Sequence, residues 1–276
     1  MQFSLESLAA LATIVGTAAS VLALIQSRNW LALTGLPLVC VAIVAGLYAR
    51  RERLALTSAT VTIEGHNIDA LTAANLKRRV NRSLLIQEAH HTAHIEGEDL
   101  RIEWEYAGYC RVKRETAMEF SVEAAHTTTF TDLACAGYDL GHDPAMKHKI
   151  QPVLLGNDGM SKKISVPFLE PLGAQQPFRV MLKCTLPRCI TPGFAYYTAT
   201  LSFVQNRIRR STVRLIFAGQ QPRWVRVYEC LPGRPPVLIK TLSPSRKGAG
   251  ASEYLDVISE THGQSARVYT FWRDSV

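Results

Sequence analysis

The chain opens with two apolar runs, residues 8–25 and 30–49, that contain no charged side chain. Only Gln26-Ser27-Arg28-Asn29 separates them, and Arg50-Arg51-Glu52-Arg53 follows at once. A bilayer core of roughly 30 Å takes about 20 apolar helical residues. Backbone amides in lipid must bond internally, so the pattern predicts a transmembrane helical hairpin over residues 1–53. The first run carries a stripe: Glu6, Ala9, Thr13, Gly16 with Thr17, and Ser20 recur at three- and four-residue steps and so share one helix face. Two readings fit it. Small residues let a helix pack closely on its neighbour, or Glu6, Thr13, Gly16, Thr17 and Ser20 line an oligomeric pore with Glu6 at its mouth. The second run holds Gly35, Pro37 and Gly46 but no polar face.

Residues 54–98 read as a connector. Asn67 or Asp69 is placed to cap a helix through Leu71, Ala74, Leu76 and Val80, with Lys77, Arg78, Arg79 and Arg82 on its basic face. That is an amphipathic segment suited to a membrane surface, or a solvated helix packed on the next domain. His90 and His94 would share a face of a continuing helix, beside His91. No cysteine or carboxylate cluster accompanies them, so neither a metal site nor a cofactor is assigned.

From Leu100 the period changes to two. Ile102, Trp104 and Tyr106 alternate with Arg101, Glu103 and Glu105; Met118, Phe120 and Val122 with Glu119, Ser121 and Glu123; Phe178, Val180, Leu182 and Cys184 with Arg179, Met181 and Lys183. These are half-buried strands of antiparallel sheets with one wet face. Further strands are expected over 152–155, 163–169, 195–205, 211–218, 223–230, 236–242, 254–259 and 266–272, separated by Gly/Pro/Asn/Asp turns. Many short strands at this spacing form a sandwich or barrel. The expected fold is a membrane protein: a two-helix transmembrane hairpin followed by a mainly-β, sandwich-like antiparallel domain over 99–218 and a C-terminal β extension over 219–276.

Charge refines this picture. The net charge over 276 residues is +8, and four arginines against two glutamates in residues 1–53 account for +2 of it. Arginines following the second run put the N-terminus and the β domain on the cytoplasmic side by the positive-inside rule. That implies a multi-pass membrane protein. The remaining excess is moderate, below that of a dedicated DNA binder. The six cysteines form no CxxC pair and no compact framework, so free thiols are expected. No GxSxG, HExxH, Walker or Rossmann pattern occurs. Asp139, His142 and Asp143 fall in an ordinary Gly/Pro turn, so no catalytic residue is assigned and an enzyme is not expected.

The basic residues carry more information. Arg207, Arg209, Arg210 and Arg214 fall within eight positions, and the next strand places Trp224, Arg226 and Tyr228 together. Arginine forks match phosphate oxygens and aromatic rings stack on bases, so these seven residues form a candidate nucleotide or oligonucleotide site. Equally, they fit as wet-face charges of ordinary strands or as contacts to anionic lipid headgroups. Lys147, His148, Lys149, Lys162 and Lys163 are secondary candidates.

A two-span hairpin over 8–25 and 30–49, followed by a β-rich domain without enzymatic motifs, resembles the membrane effectors of bacterial nucleotide-signalled antiphage defence, both CBASS-like and Hailong-type channel effectors. The resemblance lies in domain order and transfers no site residue. It implies an oligomeric inner-membrane effector, an ion channel controlled by a nucleotide or short oligonucleotide from a partner nucleotidyltransferase. Because two helices cannot enclose a pore, it also implies a homo-oligomer in the bilayer, taken as a tetramer. The alternative is a membrane-anchored β-sandwich interaction module without channel activity.

Overall fold

Period-two alternation governs the chain wherever its structure is described. The computed structural model describes residues 61–68, 81–141, 147–200, 208–219, 221–231, 234–248, 250–259 and 266–273. Among them the chain is all β. A short hairpin, β1 (Val61–Ile63) and β2 (His66–Ile68), precedes the long strands β3 (Leu84–Glu96), β4 (Asp99–Cys110) and β5 (Glu115–Glu123). Then come β6 (Ala136–Asp139), β7 (His148–Ile150), β8 (Val153–Asp158), β9 (Ser161–Leu172) and β10 (Pro177–Leu186). The C-terminal strands are β11 (Gly193–Thr200), β12 (Arg210–Ala218), β13 (Val225–Cys230), β14 (Val237–Leu242), β15 (Arg246–Gly248), β16 (Ala251–Ile258) and β17 (Ala266–Arg273).

An eight-stranded sheet, ordered β15-β16-β12-β3-β4-β10-β6-β7, forms one layer. Its inner face is covered at one end by the four-stranded sheet β11-β17-β13-β14 and at the other by the three-stranded sheet β5-β9-β8. Ring contacts mark both junctions: Phe217 on β12 meets Phe271 on β17 with centroids 5.0 Å apart, and Tyr106 on β4 meets Phe120 on β5 at 5.7 Å. A single buried cluster runs through all three sheets. Strands from before and after residue 219 share sheets, β16 pairing with β12 and β17 with β11. Residues 59–276 accordingly make up one compact unit.

β3 explains how the register is set. Leu84 and Ile86 point inward, then a bulge between Ile86 and Glu88 shifts the pairing with β4, and Ala89, His91, Ala93 and Ile95 take over the inward positions. A bulge adds one residue and so exchanges the faces of everything beyond it. Close by, Gly108 of β4 lies so near β3 that an added Cβ would sit 1.9 Å from the Leu85 carbonyl oxygen. The two longest partners in the sheet thus touch backbone to backbone.

Several expectations are corrected by this fold. No helix forms among the described residues, and none is long and apolar enough to cross a membrane. The fold class expected, a membrane protein built on a transmembrane hairpin, and the transmembrane and ion-channel description with it, give way, among the described residues, to a mainly-β fold. Its backbone polar groups are paired between strands instead of within helices. The runs 8–25 and 30–49, the stripe of Glu6, Thr13, Gly16, Thr17 and Ser20, and the basic helix expected through Leu71 to Val80 lie outside the described residues. His90 and His94 stand on a strand, where residues four apart also share a face. The large sheet is mixed, because β12 runs parallel to β3.

Candidate functional site

The basic and aromatic residues that the sequence placed together divide between two sheets. Val213, Leu215 and Phe217 of β12 and Val225 and Val227 of β13 point into the same core. Alternation then sends Arg210 and Arg214 to the outer face of the large sheet, and Arg226 and Tyr228 to the outer face of the opposing four-stranded sheet. Arg207 lies outside the described residues. Arg214 is paired with Glu253 of β16 at 3.2 Å, and Arg210 stands opposite Glu88 in the β12–β3 register. The face they occupy is a ladder of opposite charges that continues with Glu103–Lys183 at 2.6 Å and Glu105–Arg179 at 2.5 Å. His90 joins it, its Nδ1 2.7 Å from Thr212 Oγ1. Cross-strand pairs of this kind stabilise a sheet modestly. The charges of Arg214, Lys183 and Arg179 are paired within the sheet.

On the other side, three of the seven candidates converge. The β1–β2 hairpin lies on the outer face of the four-stranded sheet, burying Ile63 and Ile68 against Cys230, Ala266 and Val268, with Phe194, Tyr196 and Tyr228 around them. Its turn, Glu64-Gly65, has positive φ at both residues (53° and 79°), the two-residue geometry that matches strand twist. His66 stacks on Phe194 with centroids 3.9 Å apart and planes 6° from parallel. So held, the turn delivers Glu64 to β13. Arg226 Nη1 donates to Glu64 Oε1 at 2.7 Å, and the Tyr228 hydroxyl donates to the same oxygen at 2.6 Å. The Arg226 guanidinium also lies 4.5 Å from the centroid of the Trp224 ring. The hydrogen bond to Glu64 raises the Arg226 pKa further. Burial first, then Glu64, pushes Tyr228 up to about 12, so both groups are donors at any physiological pH.

A second polar constellation is buried between the sheets. Tyr106 Oη lies 2.8 Å from His91 Nε2, Tyr197 Oη lies 3.4 Å from His91 Nδ1, and Trp104 Nε1 donates to Tyr197 Oη at 2.9 Å. Burial, reinforced by neighbouring His90, lowers the His91 pKa to about 3, so the ring is neutral and donates from only one nitrogen. Tyr197 faces Tyr269 on the adjacent strand β17. Tyr269 donates to Asp256 Oδ2 at 2.8 Å, Arg267 Nη1 donates to the same oxygen at 2.9 Å, and Lys240 Nζ donates to Oδ1. Asp256 is wholly buried, and its charge is tolerated because two cations and a hydroxyl surround it.

Three of the other candidates have structural contacts. Asp139 accepts from the Gly141 and Leu169 amides at 2.9 and 3.0 Å. Lys162 is buried and donates to the Gly159 carbonyl, while Lys163 pairs with Glu119 at 2.6 Å. Among the described residues no group of three or more His, Cys, Asp or Glu side chains is arranged to hold a metal ion. Glu64 and Asp256 were not singled out in the sequence. The signals for them were an apolar–Glu-Gly–polar hairpin pattern over 61–68, and an acid at an inward position of an alternating strand.

No protein-family model matches the chain, and no curated protein matches it. Similar solved structures include an M1 zinc metallopeptidase from Deinococcus radiodurans, 11% identical over 69% of this chain and 43% of that one, with a TM-score of 0.43. Another is a "putative protease" from Parabacteroides distasonis, 8% identical over 68% of this chain and 40% of that one, also at 0.43. This chain spans less than half the length of either. At that overlap neither assigns an activity to it.

Proposed function

We propose that the unit formed by residues 59–276 is a binding domain for an anionic ligand of the nucleotide or short-oligonucleotide class, recognised through Trp224, Arg226 and Tyr228. One observation carries the reading. A guanidinium and a phenol converge on a single carboxylate oxygen beside a half-exposed indole, so an anion position already exists and Glu64 fills it. Charge-assisted bonds from a planar guanidinium suit a phosphate oxygen as well as a carboxylate. The indole adds a face for a base. On this reading Glu64 is an internal competitor, and the ligand binds by displacing it. Arg210 and Arg214 face away and take no part, and Arg209 stands exposed just ahead of β12.

The test is calorimetric titration of the full chain with adenosine triphosphate and with inorganic pyrophosphate. Binding that Arg226→Ala abolishes and Arg214→Ala leaves intact supports the proposal. Equal losses in both variants, or no binding even after Glu64 is replaced, would overturn it.

A second reading is an interaction module, favoured by β14. This edge strand exposes three successive apolar residues, Val237, Leu238 and Ile239, at 57%, 48% and 39%. Such an edge suits addition of an extended peptide strand. It predicts a binding activity sensitive to Ile239→Pro and indifferent to Arg226→Ala.

A further inference from the structure

Two free cysteines face each other across neighbouring strands at one end of the large sheet. β10 pairs antiparallel with β6 through Val180↔Asp139, Met181↔Tyr138, Leu182↔Gly137 and Lys183↔Ala136. One further step of this register sets Cys184 opposite Cys135. The Leu140 amide donates to the Arg179 carbonyl at 2.7 Å, which marks 179/140 as a hydrogen-bonded pair. Bonded and non-bonded pairs alternate along an antiparallel ladder. Counting along it, 181/138 and 183/136 are bonded, and 184/135 is a non-bonded pair. Directly opposed residues at such positions have Cα atoms roughly 4.5 Å apart, with side chains on the same face. That spacing falls within the range of about 4.4–6.8 Å that a disulfide spans.

Local geometry holds the two together. Just past the pair the Thr185 amide donates to the Leu133 carbonyl at 2.8 Å, so the chains do not splay. Ala134 takes up the extra residue with φ of 43°. The neighbouring Cys135 thiol, together with burial, raises the Cys184 pKa strongly. The partners are unequal in access: Cys184 is buried, whereas Cys135 is half-exposed. The other described cysteines have no such neighbour. Cys110 stands opposite Leu84, Cys230 opposite Ala266, and Cys189 Sγ accepts from the Ala125 amide at 3.4 Å.

We propose that Cys135 and Cys184 are a reversible redox pair, oxidised to a cross-strand disulfide by a small-molecule disulfide of the glutathione type. The accessible Cys135 gives its proton to solvent, and its sulfur attacks one sulfur of oxidised glutathione. The S–S bond of that molecule breaks, and the first glutathione thiolate leaves and takes up a proton. The Cys184 sulfur then attacks Cys135 Sγ in the mixed disulfide. The new Cys135–Cys184 bond forms, the second glutathione leaves as a thiolate, and it is protonated by the proton that Cys184 gives up. Two protein thiols are oxidised, one small disulfide is reduced to two thiols, and no other reactant is needed. The order follows from access, since a reactive thiol must be reachable and able to ionise. The product ties the segment that crosses from β5 to β6 directly to β10.

The experiment equilibrates the purified full chain over a series of oxidised-to-reduced glutathione ratios, traps free thiols by alkylation, and maps the linked peptides by mass spectrometry. The expected result is one intramolecular link, between Cys135 and Cys184, with loss of two hydrogens from the intact mass and full return of both thiols on treatment with dithiothreitol. Cys135→Ser should abolish the link, and Cys189→Ser should leave it unchanged. The wild-type map carries the proposal by itself, so a variant that fails to fold does not obscure the answer. A link through Cys189 or Cys110, or a persistent glutathione adduct on Cys135 without closure to Cys184, would overturn the assignment.

Discussion

Tyr269 and Asp256 join the two layers of the sandwich: the phenol on β17 donates at 2.8 Å to a carboxylate on β16 that is wholly buried. Arg267 from the same strand as Tyr269, and Lys240 from the edge strand β14, complete the shell. An acid in a dry interior is stable only while such partners remain. The clasp fixes β14 and β17 against the end of the large sheet that holds β16.

Removing the acid should therefore be expensive. Asp256→Ala leaves Arg267 and Tyr269 buried without their acceptor, and a loss of about 3 kcal/mol is expected from buried pairs broken on one side. Asp256→Asn keeps an acceptor for Tyr269 and should cost less. Urea unfolding of both variants checks the order. Equal stabilities for Asn, Ala and wild type would show that the clasp contributes nothing.

His91 makes stability depend on pH in a direction that can be worked out. Its folded pKa lies near 3 and its unfolded value near 6.5. Between these limits the unfolded chain binds a proton that the folded chain does not. The stability from a neutral, buried His91 is complete above pH 6.5 and is lost progressively as pH falls toward 3. One group titrating this way gives a slope approaching about 1.4 kcal/mol per pH unit. Because carboxylates join below about pH 5, the diagnostic interval is 6.5 to 5. His91→Gln preserves hydrogen-bonding capacity and should make the decline across that interval shallower than in wild type, leaving the contribution of His94, whose pKa burial also lowers.

Much of the β architecture was legible because alternation is local. Met118, Phe120 and Val122, or Phe178, Val180, Leu182 and Cys184, declare their buried face within one strand, and the structure buries them. β3 was not legible: the bulge between Ile86 and Glu88 exchanges the buried parity midway, and three histidines within five residues resemble a helical face. The candidate site was half visible for the same reason. Trp224, Arg226 and Tyr228 share a strand, but their partner Glu64 is 162 residues from Arg226 and reaches it only through a docked hairpin. Arg210 and Arg214 seemed to belong with them because the strands are consecutive. Consecutive strands here enter opposite layers, and their outward residues diverge.

Gly108 tests the close contact of the two longest partners in the large sheet. A Cβ there would meet the Leu85 carbonyl oxygen at 1.9 Å and the Leu85 carbonyl carbon at 2.9 Å. Both are backbone atoms, which no rotamer change can move. Gly108→Ala should fall in the exceptional class above about 4 kcal/mol, seen as loss of cooperative unfolding or of folded protein. Gly97→Ala, where an added Cβ meets nothing within 4 Å, separates this clash from a general intolerance of glycine replacement. It should cost far less, through its φ of 57° alone.

Glu64→Asn separates the turn from the charge. Glu64 occupies the first central position of a two-residue turn with φ of 53°, followed by Gly65 at 79°. Asn-Gly is the preferred sequence for that geometry, so the substitution should hold or improve the hairpin that buries Ile63 and Ile68. It also shortens the side chain and removes its charge, releasing Arg226 Nη1 and the Tyr228 hydroxyl from Oε1. If Glu64 competes with an external anion, the variant should bind pyrophosphate about tenfold more tightly, equivalent to about 1.4 kcal/mol and close to the lower value for one hydrogen bond to a charged group. The Tyr228 pKa, near 12 in the wild type, should fall as the neighbouring negative charge is withdrawn, which a spectroscopic phenol titration reads independently of any ligand. Tighter binding with unchanged thermal stability supports a pre-formed anion position held by its own chain. Weaker hairpin packing with no gain in affinity means that Glu64 serves the fold alone, and that Arg226 and Tyr228 are there to hold it.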